Sequence, residues 1–274
     1  MEFRTIQVDE FEAIHTITLN RPERRNALNP AMLEELTRAL QDSERCTCSA
    51  VILTGAGSSF CAGMDIENLK AMLGEGPEEE RADLEAFLSL MRRLYELDKP
   101  TIAAVNGPAL AGGTGLAFQC DFTLAAAGAK FGYTEVRIGF IPAVASVFLI
   151  AMIGEKQARD LLLSGRLFLS EEAQRLGLVT AITSEDELIP HARSLAHALA
   201  RNSPQAMSSM KRLLGNFAKA DFDRRLEHAL EWSERVHNMS DFREGIQAFL
   251  EKRDPVWTYG REKEDRRDNR RDNL

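Results

Sequence analysis

The chain lacks the features that mark membrane, secreted and nucleic-acid-binding proteins. No stretch approaches the roughly 18 consecutive apolar residues of a membrane-spanning helix, and the first residues do not form the apolar core of a signal peptide. Its 34 basic residues are outnumbered by 42 acidic residues, which gives a net charge of −8. This balance is the opposite of what binding to phosphate groups requires. We therefore expect a cytoplasmic protein that binds neither membrane nor nucleic acid.

Cysteine is also scarce, with 4 residues among 274. Their number and irregular spacing argue against the disulfide frameworks that hold small secreted proteins together. Cys46 and Cys48 are close in sequence, but no second group of cysteine or histidine stands near them in the sequence to complete a metal site. We therefore predict that the chain binds no metal.

What the chain does have is two glycine-rich turns, at residues 59–65 and 106–114, each directly after an apolar strand-like segment. The second turn leads into a helix, so its backbone N–H groups lie at a positive helix end. Two such turns can direct two N–H groups at one carbonyl oxygen, an oxyanion hole in which each donor contributes about 3 to 4 kcal/mol. The alternative is that each turn only closes a strand-to-helix corner. No histidine lies near either turn in sequence, so a Ser/His/Asp triad has no support.

Strand-like and helical segments alternate over the first half of the chain, which predicts an α/β fold with largely parallel strands. From residue 143 onward the pattern is helical, with one extended segment at 178–182. The predicted strands are 3–8, 13–19, 50–54, 101–105, 122–125 and 130–132. The predicted helices are 30–43, 66–73, 78–97, 143–152, 155–163, 170–176, 185–202, 204–217, 222–238 and 241–252. Asn29 followed by Pro30 marks the start of the first helix, because asparagine caps a helix and proline is tolerated in its first turn.

Three regions follow from this pattern. Residues 1–202 form the predicted core. Residues 203–259 form an amphipathic helical region that must dock on its own core or on a neighbouring subunit, and we therefore expect it to support assembly. Residues 260–274 are a charged tail that we predict to be disordered.

Several motifs occur in an order that resembles a known family. They are Leu19-Asn20-Arg21-Pro22 with Asn26-Ala27-Leu28, Phe60-Cys61-Ala62-Gly63-Met64-Asp65, Asn106-Gly107 through Gly112-Gly113, and Phe131-Gly132-Tyr133-Thr134-Glu135. Together they resemble the enoyl-CoA hydratase/isomerase (crotonase) superfamily, and most of all a bacterial enoyl-CoA hydratase, over nearly all of residues 1–257. The resemblance implies an α/β fold of the crotonase type. This is a spiral of ββα units with a C-terminal helical region, packed as a homo-trimer or homo-hexamer.

The resemblance also implies an acyl-CoA thioester substrate and no separate cofactor, because coenzyme A is part of the substrate. Carried over by position, the oxyanion donors are the N–H groups of Met64 and Gly112, and the proton-transferring carboxylate is Glu135. On pattern alone, Glu135 is more typical of a solvated turn. A carboxylate in an apolar pocket has its pKa raised, which suits it to proton transfer near neutral pH.

Contacts to coenzyme A are implied for a further group of residues. Trp257 resembles an aromatic residue that closes the coenzyme A site, sometimes from a neighbouring subunit. Glu67 stands where many relatives have lysine, so one phosphate contact is not expected. The implied contacts are Arg24, Arg25, Ala27, Cys61, Ala62, Gly63, Asp65 and Ile66, and for the two arginines a solvated loop is the alternative.

The position of a second carboxylate is taken by Gly115. Family hydratases generally place a glutamate there, on the helix after the second glycine-rich turn. A glycine leaves space that could admit a bulkier acyl group, and Phe140, Ile141 and Val144 would make the pocket apolar. The alternative for these three side chains is an ordinary place in the core. The predicted substrate pocket is therefore Gly115, Phe140, Ile141, Val144 and Trp257.

Three functions stay open at this point. The first is hydration of a 2-enoyl-CoA to a 3-hydroxyacyl-CoA in fatty-acid metabolism such as β-oxidation. The second is isomerisation of a 3-enoyl-CoA, in which Glu135 alone moves the proton. The third is a binding protein that keeps the fold without the activity, whereas RNA binding is opposed by the acidic charge balance.

Overall fold

The computed structural model describes residues 3–72 and 77–257, and within that part of the chain two sheets form the frame. The larger sheet has the order β1-β2-β3-β4-β6-β9, with β1 and β2 antiparallel and the other pairs parallel, and the smaller has the order β5-β7-β8. The strands are β1 (Ile6–Phe11), β2 (Ile14–Leu19), β3 (Ala50–Gly55), β4 (Thr101–Val105), β5 (Ala109–Leu110), β6 (Phe122–Ala126), β7 (Lys130–Gly132), β8 (Phe168–Leu169) and β9 (Ala181–Thr183).

Helices surround this frame and make up most of the C-terminal half. The helices are α1 (Pro30–Arg45), α2 (Ile66–Met72), α3 (Pro77–Glu96), α4 (Gly112–Gln119), α5 (Ala143–Ser164), α6 (Ser170–Arg175), α7 (Glu185–Ala200), α8 (Pro204–His237) and α9 (Ser240–Glu251), with short 3₁₀ turns at Pro22–Arg24 and Glu135–Ile138. The α/β fold with C-terminal helices is therefore confirmed. No helix in the described ranges is both long and apolar enough to cross a membrane.

The central strands are buried on both faces, which fixes where the core lies. In β3, Val51 and Leu53 pack into the larger apolar cluster, which also contains residues of α1, α3 and α4. The alternate residues Ala50 and Ile52 pack into a second cluster with α7. Because successive side chains of a strand point to opposite faces, one apolar run supplies both layers. Because the strands from β2 to β6 in this sheet pair in parallel, their carboxyl ends lie at one edge of the sheet.

Local signals set several boundaries correctly. The Asn29 side chain accepts a hydrogen bond from the Met32 N–H at 2.9 Å, and Pro30 occupies the first helical position of α1. Residues 143–152 and 155–163 were predicted as two helices, and α5 does consist of two helical pieces joined across a kink, because the backbone at Gly154 is non-helical. Residues 204–217 and 222–238 were also predicted as two helices, but they form one helix, α8.

Two predictions concern residues that the structure does not describe. Part of the predicted break between α2 and α3 lies at residues 73–76, and the charged tail at 260–274 lies wholly outside the described ranges. The division into a core and a C-terminal helical region stays a prediction.

The cysteine pair at the end of α1 differs from expectation. Cys46 and Cys48 are joined by a disulfide, which is a single local bridge and not a framework. His15 also lies beside the pair, although none was expected near it. The cause is the parallel pairing of β2 with β3, which sets His15 opposite Val51 just after the cysteines. His15 is far from the two cysteines in sequence, so the sequence alone did not indicate that it lies beside them.

Candidate active site

The two glycine-rich turns meet at the carboxyl edge of the large sheet. Because β3 and β4 are adjacent and parallel, the segments that follow them leave the sheet side by side. Cys61 pairs with Ala109, and the Leu110 N–H donates to the Cys61 carbonyl oxygen at 2.9 Å. A Cβ on Gly113 would lie 2.4 Å from the same oxygen, so only glycine allows this approach. The two glycine-rich turns are therefore in direct contact, as predicted.

Two backbone N–H groups are available where the turns meet. Gly63 has a φ of +91°, and a Cβ there would lie 2.8 Å from the Ala111 Cβ and 3.5 Å from the Gly112 nitrogen. Gly112 heads α4, where the first N–H groups have no acceptor within the helix. Among the hydrogen bonds of residues 3–72 and 77–257, none has the Met64 N–H as donor. Met64 and Gly112 line the same cavity.

A buried ion pair fixes the first turn. Arg21 Nη2 donates to Asp65 Oδ2 at 2.8 Å, and both side chains are largely buried. The backbone of Leu28 also binds the first turn on both sides of Met64. Its N–H donates to the Gly63 oxygen at 2.8 Å, and its carbonyl accepts from the Asp65 N–H at 2.7 Å. These bonds hold the residues on both sides of Met64. Asp65, expected at coenzyme A, thus helps to fix the Met64 backbone.

The arginines expected at coenzyme A lie on an exposed loop beside the first turn. Arg24 and Arg25 are both exposed. The Arg25 carbonyl accepts a hydrogen bond from the Ala62 N–H at 3.0 Å, which joins the loop to the turn. Ala62 itself lines the cavity. The loop therefore places two exposed cations beside the first turn.

The remaining expected coenzyme A contacts divide into buried and lining residues. Ala27 is buried, and its carbonyl accepts from Arg21 Nη1 at 2.6 Å. Cys61 is fully buried, and burial raises the pKa of its thiol to about 12. Ile66 lines the cavity. Only Ile66 of these three can touch a ligand in the cavity through its side chain.

Glu135 is buried in the wall of the same cavity. It begins the 3₁₀ turn after β7, and its backbone carbonyl accepts from the Phe140 N–H at 3.0 Å. Glu135 is 7% exposed, and within residues 3–72 and 77–257 its Oε2 has no hydrogen-bond partner. Burial raises the carboxyl pKa from 4.5 to about 8. An unpartnered carboxyl with such a pKa is typical of a group that transfers protons.

The cavity has a volume of about 430 Å³ and a mostly apolar wall. Phe140, Ile141 and Val144 line it, as predicted from the sequence. Other apolar lining residues come from α2, α3 and α9. They are Leu69, Leu84, Phe87, Ala248 and Phe249.

Gly115 does not lie on the cavity wall. A Cβ at this position would lie 3.3 Å from the Ala145 Cβ and 3.4 Å from the Met91 Cε. The expectation of open space was therefore wrong, because these two side chains pack against the glycine. A larger residue here would have to displace them.

Two polar residues at the cavity were missed in the sequence. Asp83, on α3, lines the cavity, hydrogen-bonds Asn68 and has a pKa raised by burial. His237 packs flat on Phe140 with ring centroids 4.7 Å apart, and burial lowers its pKa to about 4. Helical periodicity marks a buried face, but it does not say which turn of a helix reaches the cavity.

The segment after α9 covers one side of the cavity. Arg253 donates from Nη1 and Nη2 to the Glu244 carboxylate at 2.6 and 3.0 Å, and the Val256 N–H donates to the same carboxylate at 2.7 Å. Arg253 and Pro255 line the cavity. Trp257, expected to close the site, is half-buried and is not part of this wall.

The chain is similar to proteins of one family. The family model described as enoyl-CoA hydratase/isomerase matches residues 9–260. A Thermus thermophilus protein named putative enoyl-CoA hydratase is 42% identical, and the alignment covers 88% of this chain and 96% of that protein. The Escherichia coli 1,2-epoxyphenylacetyl-CoA isomerase is 33% identical over 94% of this chain and 99% of its own. The crystal structure of an enoyl-CoA hydratase/isomerase from Xanthobacter autotrophicus Py2 has a TM-score of 0.85 and 31% identity, covering 92% of this chain and 98% of that one.

Proposed function

Because the chain belongs to the enoyl-CoA hydratase/isomerase family, we propose that it adds water to a 2-enoyl-CoA and forms the 3-hydroxyacyl-CoA. One observation carries the proposal. The buried Glu135 carboxyl, with an unpartnered oxygen, lines the same cavity as the Met64 and Gly112 backbone. A proton-transfer group and two oxyanion donors around one apolar cavity are what addition to an unsaturated thioester needs.

The two turn amides stabilise the charge that develops on the thioester oxygen. In this proposal that oxygen accepts hydrogen bonds from the Met64 and Gly112 N–H groups. Both donors are fixed before substrate arrives, one by the Arg21–Asp65 pair and the other by the start of α4. Each such donor contributes about 3 to 4 kcal/mol to the transition state. The negative charge of the enolate then lies at a positive helix end.

Glu135 moves the proton in two steps. As carboxylate it accepts a proton from water while the water oxygen bonds to C3, and the electron pair of the double bond moves to the enolate. The neutral carboxyl then donates that proton to C2, the thioester carbonyl re-forms, and Glu135 is again a carboxylate. No cofactor takes part in these steps.

Isomerisation is the second candidate, and a specific observation favours it. Gly115 supplies no second carboxyl, and its surroundings are filled by Met91 and Ala145. A single carboxylate is sufficient for a 1,3-proton shift, in which Glu135 removes a proton from C2 of a 3-enoyl-CoA and returns it to C4. The double bond then becomes conjugated with the thioester, and no water is consumed.

The coenzyme A portion is proposed to bind along the first turn. Arg24 and Arg25 are exposed beside Ala62 and supply positive charge for phosphate groups. Ile66 and Ala62 line the cavity where the pantetheine arm would enter. Trp257 does not line the cavity of its own chain, so in the proposal it closes the site of a neighbouring chain. A cytoplasmic location and a role in fatty-acid degradation belong to the same proposal.

We also propose that the protein is a homo-trimer or homo-hexamer held partly by the C-terminal helices. The support is a set of large apolar side chains that stay exposed in the single chain, although α8 and α9 already pack on the core. Light scattering after size exclusion tests the assembly, and a monomer would contradict it. The exposed residues include Leu163, Leu213, Leu214, Trp232, Phe249 and Val256.

The test of the reaction is turnover of crotonyl-CoA and of a 3-enoyl-CoA, followed by the absorbance of the conjugated thioester. Glu135→Gln should lower kcat about 100-fold to 10,000-fold, because it removes the only proton-transfer group that the proposal uses. Asp83→Asn is the matched control, since it also changes a cavity carboxyl to an amide. Consumption of crotonyl-CoA supports hydration. Formation of conjugated product from the 3-enoyl-CoA alone supports isomerisation, and full activity of Glu135→Gln would contradict both.

A further inference from the structure

A second reactive cluster lies at the end of the sheet opposite to the cavity. Cys46 ends α1, where its N–H donates to the Asp42 oxygen at 2.9 Å, and it is bridged to Cys48. Both cysteines precede β3, whereas the cavity lies beyond the carboxyl ends of β3 and β4. The cluster is therefore separate from the site of the proposed reaction and needs its own explanation.

Lys99 is the charged group in contact with this bridge. Its ammonium donates to the Cys46 carbonyl oxygen at 2.6 Å and lies 3.5 Å from the Sγ of both Cys46 and Cys48. Burial lowers the Lys99 pKa, and the carboxylate of Glu10 opposes that effect. A cation held against sulfur stabilises the thiolate, which is the form that attacks and leaves in thiol–disulfide exchange.

The other two cysteines of the chain have the opposite environment. Cys61 is fully buried and Cys120 is 7% exposed, and burial raises each thiol pKa to about 12. Such thiols are inert at neutral pH. Cys46, by contrast, is partly exposed, while Cys48 is 4% exposed behind it. One sulfur of the pair is thus accessible to a small molecule, and the second is placed to attack the first.

A metal ion is the competing explanation for this cluster. Ligand atoms of His15, Cys46 and Cys48 lie within 4.8 Å of one another, which is close enough for a shared ion. The Lys99 ammonium, however, already contacts both sulfurs, and its charge repels a second cation at that distance. One ring nitrogen of His15 is also in a 2.9 Å hydrogen bond with the Ser43 hydroxyl. The cluster is arranged for sulfur chemistry.

We propose that Cys46 and Cys48 form a reversible dithiol–disulfide couple that exchanges with a low-molecular-weight disulfide, with Lys99 as the residue that stabilises the reacting thiolate. In the oxidising direction, the Cys46 thiolate attacks one sulfur of the small disulfide. A mixed disulfide forms at Cys46, and the first small thiolate leaves and takes up a proton. The Cys48 thiolate then attacks the Cys46 sulfur, closes the internal bridge and releases the second thiol. The cysteines are oxidised, and the small disulfide is reduced.

The first experiment uses the full-length protein without substitutions. It is equilibrated with defined mixtures of reduced and oxidised glutathione, free thiols are trapped by alkylation, and fragment masses assign each cysteine. We expect the bridged fraction of Cys46–Cys48 to follow the glutathione ratio from both directions. Cys61 and Cys120 should be alkylated only after unfolding. A pair that keeps one state at every ratio, or a reduced protein that retains zinc through dialysis, would overturn the proposal.

Variants test the order of the steps and the role of Lys99. Cys48→Ser should accumulate a glutathione adduct at Cys46, whereas Cys46→Ser should form none at the buried Cys48. For Lys99→Gln we expect bridge formation to slow roughly threefold. Loss of the cation leaves about tenfold fewer thiolates, but each thiolate that does form attacks faster than the lower-pKa thiolate of the wild type, which offsets part of the loss. Lys156→Gln, an exposed change on α5, is the matched control. A Lys99→Gln rate equal to that of the control would refute the role of Lys99.

Discussion

Replacement of Glu135 by glutamine should make the protein more stable and less active, and the gain in stability should depend on pH. Burial raises the Glu135 pKa from 4.5 to about 8. Between these values the native protein binds a proton that the unfolded chain has released. Stability must therefore fall as pH rises through this interval, because the unfolded state binds fewer protons than the native state. Glutamine has no proton to lose, so Glu135→Gln removes this pH-dependent loss of stability.

The size of the effect follows from the two pKa values. Their separation corresponds to about 5 kcal/mol once both states are deprotonated above pH 8, and to about 3 kcal/mol at pH 7. Near pH 5 the same calculation leaves less than about 1 kcal/mol. The buried amide of glutamine adds a difference of its own, but that difference does not change with pH. The dependence on pH is therefore the signature of the Glu135 carboxyl.

Urea unfolding of the wild type and of Glu135→Gln at pH 5, 7 and 8.5 measures this signature. Both proteins must be studied at one concentration, because assembly also contributes to stability. Other titrating groups affect both proteins equally, so they cancel in the comparison. Glu67→Gln, at an exposed carboxyl on α2, is the control for the loss of a carboxyl. A difference between wild type and Glu135→Gln that stays constant from pH 5 to 8.5 would refute the assignment of a neutral, buried carboxyl.

Three further predictions follow from the site. In the free enzyme, kcat/KM should fall about tenfold for each pH unit below 8, because the reaction begins with the Glu135 carboxylate, and a flat profile would contradict that. Gly63→Ala should lower both the free energy of unfolding and kcat/KM, because its methyl group would lie 2.8 Å from the Ala111 Cβ in the facing turn. Gly128→Ala is the control, since Gly128 also has a positive φ but has open space around it, and it should cost only about 1 kcal/mol of unfolding free energy and no activity. Arg21→Gln should cost about 3 kcal/mol by leaving the Asp65 carboxylate buried and unpaired, and the added change Asp65→Asn should restore part of the loss in urea unfolding.

The parts of the fold that the sequence predicted are those whose signals are local. Apolar runs before glycine-rich turns marked β3 and β4, and Asn29 followed by proline marked the start of α1. The strands β5 and β8 were missed because each has two residues, too few for an alternating pattern. Their pairing with β7 depends on contacts between distant segments, which no short window of sequence contains.

The same distinction explains the site. The positions of Met64, Gly112 and Glu135 were predicted from motifs, and the structure brings them to one cavity. The surroundings of Gly115 were predicted wrongly, because a glycine in a sequence says nothing about which side chains fill the space beside it. Met91, from α3, does so.

The Lys99 cluster shows the consequence most directly. Cys46 and Cys48 are adjacent to each other in sequence, but Lys99 and His15 reach them from β-strand ends about fifty and thirty residues away. Parallel pairing of β2, β3 and β4 aligns the starts of all three strands, so residues that precede or begin them gather at one edge. The carboxyl edge gathers the two glycine-rich turns by the same rule. One sheet therefore forms both proposed sites, and only the site with glycine-rich motifs could be predicted from the sequence.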